Sequence, residues 1–156
     1  MTRNTENCPR MLRYRPPRIA FSLLLGAAAI QVFLLPGTFA LPSSPAGGAA
    51  LGLLGAAIML RAWWLFKMHK TAICPTAAAS LITNDVYRLT RNPMYMGIVL
   101  MLLGVALASG GPAFYLAALL FFLIIDAVFC PFEEHALRRA FGRRYAEYAE
   151  RVRRWL

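Results

Sequence analysis

Long apolar runs without a charged residue constrain this chain more than any other feature. They cover residues 19–41, 46–60 and 93–125, and the last of these ends only at Asp126. A helix that crosses the hydrocarbon core of a bilayer needs about 20 mostly apolar residues. With 59% hydrophobic and 15% charged residues in 156, a soluble fold of this size could not bury the apolar surface. The chain is therefore predicted to be an integral membrane protein.

The distribution of charge predicts how the chain is oriented. The net charge is +10, and the basic residues fall in three blocks, at positions 3–18, 61–91 and 138–154. The segments 41–50 and 109–113 carry no charge. This alternation is typical of basic loops on the cytoplasmic side of a membrane, and not of a nucleic-acid surface. We expect a multi-pass protein of the cell inner membrane, in contact with its lipids, with both termini and the middle loop in the cytoplasm.

The predicted fold is all-α, in one domain of residues 1–156 with about four transmembrane helices. Pro and Gly punctuation places these helices at 19–41, 46–66, 93–109 and 113–132. Residues 1–18 and 67–92 then form a cytoplasmic segment and a cytoplasmic loop. The basic start followed by an apolar run also resembles a secretory signal, but the run is long and Phe39 is bulky for a cleavage site. Three cysteines without metal-type spacing predict free thiols and no metal site.

Two helices carry further signals. The second contains four glycines, which let helices approach closely in lipid. Residues 133–156 form a predicted amphipathic helix in the cytoplasm, because apolar side chains recur there at spacings of three and four. This apolar stripe comprises Leu137, Phe141, Tyr145, Tyr148, Val152 and Trp155.

Two segments around the last helical hairpin carry a resemblance. The chain reads LITNDVYRLTRNPMYMG at 81–97 and EEHALRRAFGRRYAEYAERVRRW at 133–155. Together these resemble the paired motifs of the isoprenylcysteine carboxyl methyltransferase-like membrane enzymes and the related phospholipid methyltransferases. The resemblance implies an enzyme that transfers a methyl group from S-adenosylmethionine to a lipophilic acceptor in the membrane.

The resemblance also implies which residues form the site. Asn92, Tyr95 and Arg91 would act in catalysis. Glu134, Arg91 and Tyr145 are weaker candidates for the cofactor contact from the same motifs, and Arg88 is an alternative to Arg91 by residue type alone. The cofactor would be bound by Leu81, Ile82, Tyr87, Asn92, Pro93, Met94, Tyr95 and Glu133.

The residue types suit that cofactor on their own account. S-adenosylmethionine is a zwitterion with a sulfonium, so it needs acceptors for an ammonium, donors for a carboxylate and aromatic faces near the cation. A carboxylate such as Glu133, arginines and two tyrosines supply these types. With only two histidines, outside the motif cores, we expect positioning rather than an obligatory base.

The motifs depart from the family pattern at three positions. Asp85 stands where glycine is usual, which a left-handed backbone can accommodate. Asn92 stands where many members have histidine, and it cannot titrate. Phe129 stands where some members place an arginine for a substrate carboxylate, a departure that weighs against an isoprenylcysteine carboxylate as the acceptor.

Other interpretations of these residues stay open. The tyrosines could anchor the headgroup region, Arg88 and Arg91 could serve only to set the topology, and the Glu pair could cap a helix. The acceptor could be a lipid amine or a small thiol, and the chain could be a non-catalytic subunit or a small transporter. An acid in an apolar helix needs a partner, and we expect Asp126 to pair with Arg61 beneath the cofactor pocket.

Overall fold

A computed structural model describes residues 15–35, 41–72 and 78–156, and this part of the chain is helical without any strand. The all-α prediction is confirmed. Helix α1 continues into a π turn at Ile30–Leu34, α4 continues through a π turn at Ile125–Phe129 into α5, and a 3₁₀ turn lies at Asp85–Arg88. The helices are α1 Arg15–Ala29, α2 Pro45–Met68, α3 Pro93–Ser109, α4 Pro112–Ile124, α5 Cys130–Phe141 and α6 Arg143–Arg151.

Three helical segments among the described residues are long and apolar enough to cross a membrane. They are Pro16–Leu34, Pro45–Met68 and Pro112–Phe141, with 19, 24 and 30 residues. Helix α3 is equally apolar but has only 17 residues. The chain is an integral membrane protein, and α3 as a fourth span stays a prediction.

The boundaries at the C-terminal end differ from the prediction. The fourth apolar helix does not end at residue 132 but runs into α5 and ends at Phe141. The expected single helix over 133–156 is wrong, because Gly142 takes a positive φ of 52° and breaks it, and residues 152–156 are not helical. Pro131 lacks the N–H that a regular helix needs, and the π turn just before it accommodates this loss without ending the helix.

Glycines hold α2 and α3 together in an antiparallel pair, as the small residues of the second helix predicted. A Cβ atom placed on Gly55 would lie 2.5 Å from the carbonyl oxygen of Gly97, and one on Gly48 would lie 2.5 Å from that of Gly104. No L side chain fits at these points, so the two backbones are in direct contact. This contact fixes the ends of the loop that connects the two helices.

Two apolar clusters position that loop. At the end of α2, Ala62 and Leu65 pack against Ile82 and Tyr87 of the loop. The main core joins α3 to α4 and includes Phe121, Ile125 and Phe129, all with at most 5% of their surface exposed. Trp155 from the end of the chain packs against this second cluster.

An ion pair also ties the loop to α2, but it is not the predicted one. Asp85 adopts the expected left-handed backbone, with φ of 58°. Its carboxylate accepts hydrogen bonds from Arg61 at 3.0 Å (Nε) and 2.5 Å (Nη2). The pKa of Asp85 is lowered, chiefly by this hydrogen bond from Arg61. The expected pair between Arg61 and Asp126 is therefore wrong, since Arg61 is bonded to the loop.

Candidate functional site

The motif loop and the start of α5 meet at one hydrogen bond. The hydroxyl of Tyr95, in the first turn of α3, donates to Oε1 of Glu133 in the first turn of α5. Both side chains are half-buried, and Pro93 below them is fully buried. Two segments separated by a helical hairpin thus meet at a carboxylate and a phenol.

Tyr87 lies close to this carboxylate. Burial raises the pKa of its phenol most, and the neighbouring Tyr148 phenol and Glu133 carboxylate raise it further. The backbone carbonyl of Tyr87 accepts a hydrogen bond of 2.7 Å from the Tyr148 hydroxyl. The Glu133 carboxylate thus lies beside Tyr95 and close to Tyr87, and a carboxylate next to aromatic rings attracts a cation.

The remaining predicted cofactor residues are mostly packed. Ile82 is 6% exposed and lies in the cluster with Tyr87, and Met94 packs against that cluster. Leu81 is half-buried. Ile82 and Met94 thus form an apolar floor with Tyr87 against the end of α2.

Arg91 faces the acid next to Glu133. Its Nη1 lies 3.4 Å from Oε1 of Glu134 and donates to the Tyr145 hydroxyl, also at 3.4 Å. Its Nε is buried and has no hydrogen-bond partner among the described residues. A buried donor without an acceptor is costly in a folded protein, so this N–H is suited to an anionic ligand. Arg88, in contrast, is exposed.

Asn92 has a structural contact that sequence reasoning did not anticipate. Its side-chain nitrogen donates to the carbonyl oxygen of Arg154 at 3.3 Å, and the Thr90 hydroxyl donates to the same oxygen at 2.7 Å. The backbone N–H of Arg91 donates to the carbonyl of Arg153 at 3.0 Å. Residues 90–92 therefore hold the C-terminal segment in place.

Asp126 binds that same C-terminal segment. Its Oδ1 accepts hydrogen bonds from Arg154 Nη1 at 3.0 Å and from the Trp155 indole at 2.8 Å. Arg154 also donates to both carboxylate oxygens of Glu134, at 2.8 and 3.2 Å. Arg154 and Trp155 were missed as polar contacts, although the sequence VRRW closes the second motif.

A cavity of about 510 Å³ opens beside these residues, between α2 and the C-terminal segment. None of the eleven residues that line it is charged, and only Thr90 is polar. None of the predicted cofactor residues lines it. The lining consists of Leu54, Ile58, Val86, Leu89, Thr90, Met96, Val99, Leu100, Phe122, Trp155 and Leu156.

An apolar helical bundle with a polar site at one end and an apolar cavity beside it is the architecture of an integral membrane protein. Residues 44–144, about two thirds of the chain, match the profile of the phospholipid methyltransferase family. The chain belongs to that family.

Curated relatives carry related names. Protein-S-isoprenylcysteine O-methyltransferase B of Arabidopsis thaliana is 36% identical over 75 residues, which are 46% of this chain and 36% of that protein. A probable protein-S-isoprenylcysteine O-methyltransferase of Oryza sativa subsp. indica is 40% identical over 75 residues, 46% of this chain and 38% of that protein. The match thus spans well under half the length of these relatives. An uncharacterized protein of Haemophilus influenzae is 36% identical over 63 residues, 40% of this chain and its own whole length. No solved structure matches significantly.

Proposed function

We propose that this protein transfers a methyl group from S-adenosylmethionine to a lipophilic acceptor presented by the membrane. The observation that carries the proposal is the hydrogen bond between Tyr95 and Glu133, which joins the two motif segments. Membership in a family of methyltransferases supports the reaction class. The position of the apolar cavity beside Thr90 supports a lipophilic acceptor.

The side chains around this hydrogen bond fit the methyl donor by type. Glu133 can accept hydrogen bonds from its ammonium group, and the free Nε–H of Arg91 can donate to its carboxylate. The rings of Tyr87 and Tyr95 can face its sulfonium. Leu81, Ile82 and Met94 would form the apolar wall around its uncharged part.

The chain contributes orientation and exclusion of water. When bound, S-adenosylmethionine supplies an electrophilic methyl group. Tyr95 holds the Glu133 carboxylate in one orientation, and the packed loop limits access of water to it. Asn92 cannot titrate and so cannot serve as a base, and in this proposal the acceptor reacts as an anion or a free amine. Alignment of donor and acceptor then provides most of the rate enhancement.

The acceptor places its hydrocarbon part in the apolar cavity. Phe129, where some family members have an arginine, is 5% exposed and packed in the main core, so it offers no charge to a substrate carboxylate. A lipid amine is therefore the alternative to a prenylcysteine as acceptor, and membership in the phospholipid methyltransferase family favours it. Incubation of membranes with donor carrying a radioactive methyl group, in the presence and absence of an added prenylcysteine, separates the two acceptors.

Binding of the donor tests the proposal directly. Calorimetry on detergent-solubilised protein should detect both S-adenosylmethionine and S-adenosylhomocysteine. Glu133→Gln should weaken both by about tenfold or more, the typical loss for one charge-assisted hydrogen bond. Glu147→Gln is the matched control, since Glu147 is exposed on α6, where it is bonded to Arg143 and Arg151 of the same helix. Wild-type protein that binds neither compound would indicate a non-catalytic membrane subunit.

A further inference from the structure

The end of the chain lies against the site as a polar strap. Beyond α6, the backbone of residues 153 and 154 is bonded to residues 90–92 of the motif loop. The Arg154 side chain then reaches two acids at once, Asp126 in the π turn and Glu134 in α5. One guanidinium thus connects two points on a single continuous helical segment.

The π turn is the reason that both acids can reach one side chain. Asp126 and Glu134 are eight residues apart, which in a regular α-helix leaves them about 80° apart around the axis. A π turn accommodates one additional residue, so the two carboxylates come within about 20° of each other. The same shift moves Glu133 to about 120° from Asp126, away from the strap and towards Tyr95.

We propose that Arg154 is a positioning residue for the methyl-transfer site. By holding Glu134 of α5 beside Asp126 of the π turn, it fixes the rotation of α5 that points Glu133 at Tyr95. Adjacent residues on a helix lie about 100° apart, so an anchored Glu134 sets the direction of Glu133. This inference rests on the proposed function for its catalytic meaning.

The contacts of Glu134 show why Arg154 dominates this orientation. Glu134 is 12% exposed and receives two hydrogen bonds from Arg154, in the paired geometry that guanidinium groups favour. Its other cationic neighbour, Arg91, lies 3.4 Å away. The hydrogen bond to Glu134 is also the largest of the effects that raise the pKa of Arg154.

The rotation of α5 can be measured without any ligand. Cys130 is fully buried and lies three residues before Glu133, so it becomes accessible when α5 turns. In a Cys8→Ser, Cys74→Ser background of the full chain, Arg154→Gln should speed the reaction of Cys130 with a membrane-permeant maleimide by about tenfold. Arg139 is an exposed arginine of α5, the helix that carries Cys130, so Arg139→Gln should leave the rate of Cys130 labelling unchanged.

A general loosening of the protein is controlled by a variant that is destabilised elsewhere. Gly48→Ala acts at the other end of the bundle, where its Cβ would clash with α3. It should not speed Cys130 labelling as Arg154→Gln does. Equal labelling in wild type and Arg154→Gln, or equal acceleration by Gly48→Ala, would overturn the proposal.

A second measurement separates a positioning role of Arg154 from a role in which Arg154 only balances the charge of Asp126. Removal of Arg154 leaves Asp126 without a cationic partner among the described residues, and Asp126→Asn should restore the thermal stability of Arg154→Gln. Affinity for S-adenosylhomocysteine should stay about tenfold weaker, because Glu134 is still not anchored. Recovery of affinity together with stability would show a structural role only. If the wild type binds no donor while Cys130 labelling responds as expected, the proposed function fails and the control of α5 by Arg154 stands.

Discussion

The contact between α2 and α3 allows a sharp test of how the fold supports the site. A Cβ on Gly55 would lie 2.5 Å from the carbonyl oxygen of Gly97 and 2.9 Å from the backbone nitrogen of Met101. Ordinary contact begins at about 3.4 Å, so Gly55→Ala should push α3 away by about 0.9 Å. The clash is with backbone atoms that cannot rotate aside. We expect a loss of about 3 kcal/mol in the free energy of unfolding, the upper end of the usual cost of overpacking.

The same displacement should affect activity, because Gly97 lies two residues after Tyr95. A shift of about 1 Å in a positioned group can lower a reaction rate by about 100-fold. Gly48→Ala makes a comparable clash with Gly104, far from Tyr95. It should therefore lower stability similarly and reduce donor binding and methyl transfer much less.

Helix α2 also offers a matched control substitution, at Gly52. A Cβ on Gly52 would meet no atom within 4 Å, so Gly52→Ala should be neutral or slightly stabilising through its better helix propensity. Reversible unfolding in mixed micelles gives the free energies, and calorimetry gives the donor affinity. The reasoning is refuted if Gly55→Ala unfolds like the wild type, or if Gly52→Ala is destabilised as much as Gly55→Ala.

Three further predictions follow from individual contacts. Tyr148→Phe removes the hydrogen bond that the buried Tyr87 carbonyl accepts from the Tyr148 hydroxyl, and should cost about 1–3 kcal/mol of unfolding free energy. An unchanged unfolding curve would contradict this. The lowered pKa of Asp85 means that its bond with Arg61 stabilises the fold above the ordinary carboxyl pKa and is lost as pH falls through the folded-state value. Asp85→Asn should therefore make thermal stability less dependent on acid pH, and an identical pH profile would show that the pair contributes nothing. A single cysteine at Ser44 should react with an impermeant reagent from outside intact cells, and protection there would reverse the predicted topology.

The class of fold was predictable from the sequence by itself. Lipid offers no hydrogen-bond partners, so a spanning segment must be a helix with a long apolar sequence, and such runs are visible without coordinates. The convergence of the segments that carry Tyr95 and Glu133 was also predictable, because these segments flank one antiparallel helical hairpin and therefore lie at the same end of it. The left-handed backbone of Asp85 was likewise predictable from its position in a turn.

The tertiary structure decided the partners of the charged residues. The pairing of Asp126 with Arg61 was wrong for two reasons. The π turn rotates Asp126 away from the face of Glu133, and the bend at Gly142 lets the end of the chain return to the bundle. Neither the π turn nor the bend at Gly142 is visible in the hydrophobic periodicity. The π turn is hidden because one additional residue in a helix does not alter its apolar composition. Arg154 is one of seven arginines after Glu134, equal to the others in charge. Its role depends on which acids its guanidinium can reach, and that is set by the packing of the whole bundle.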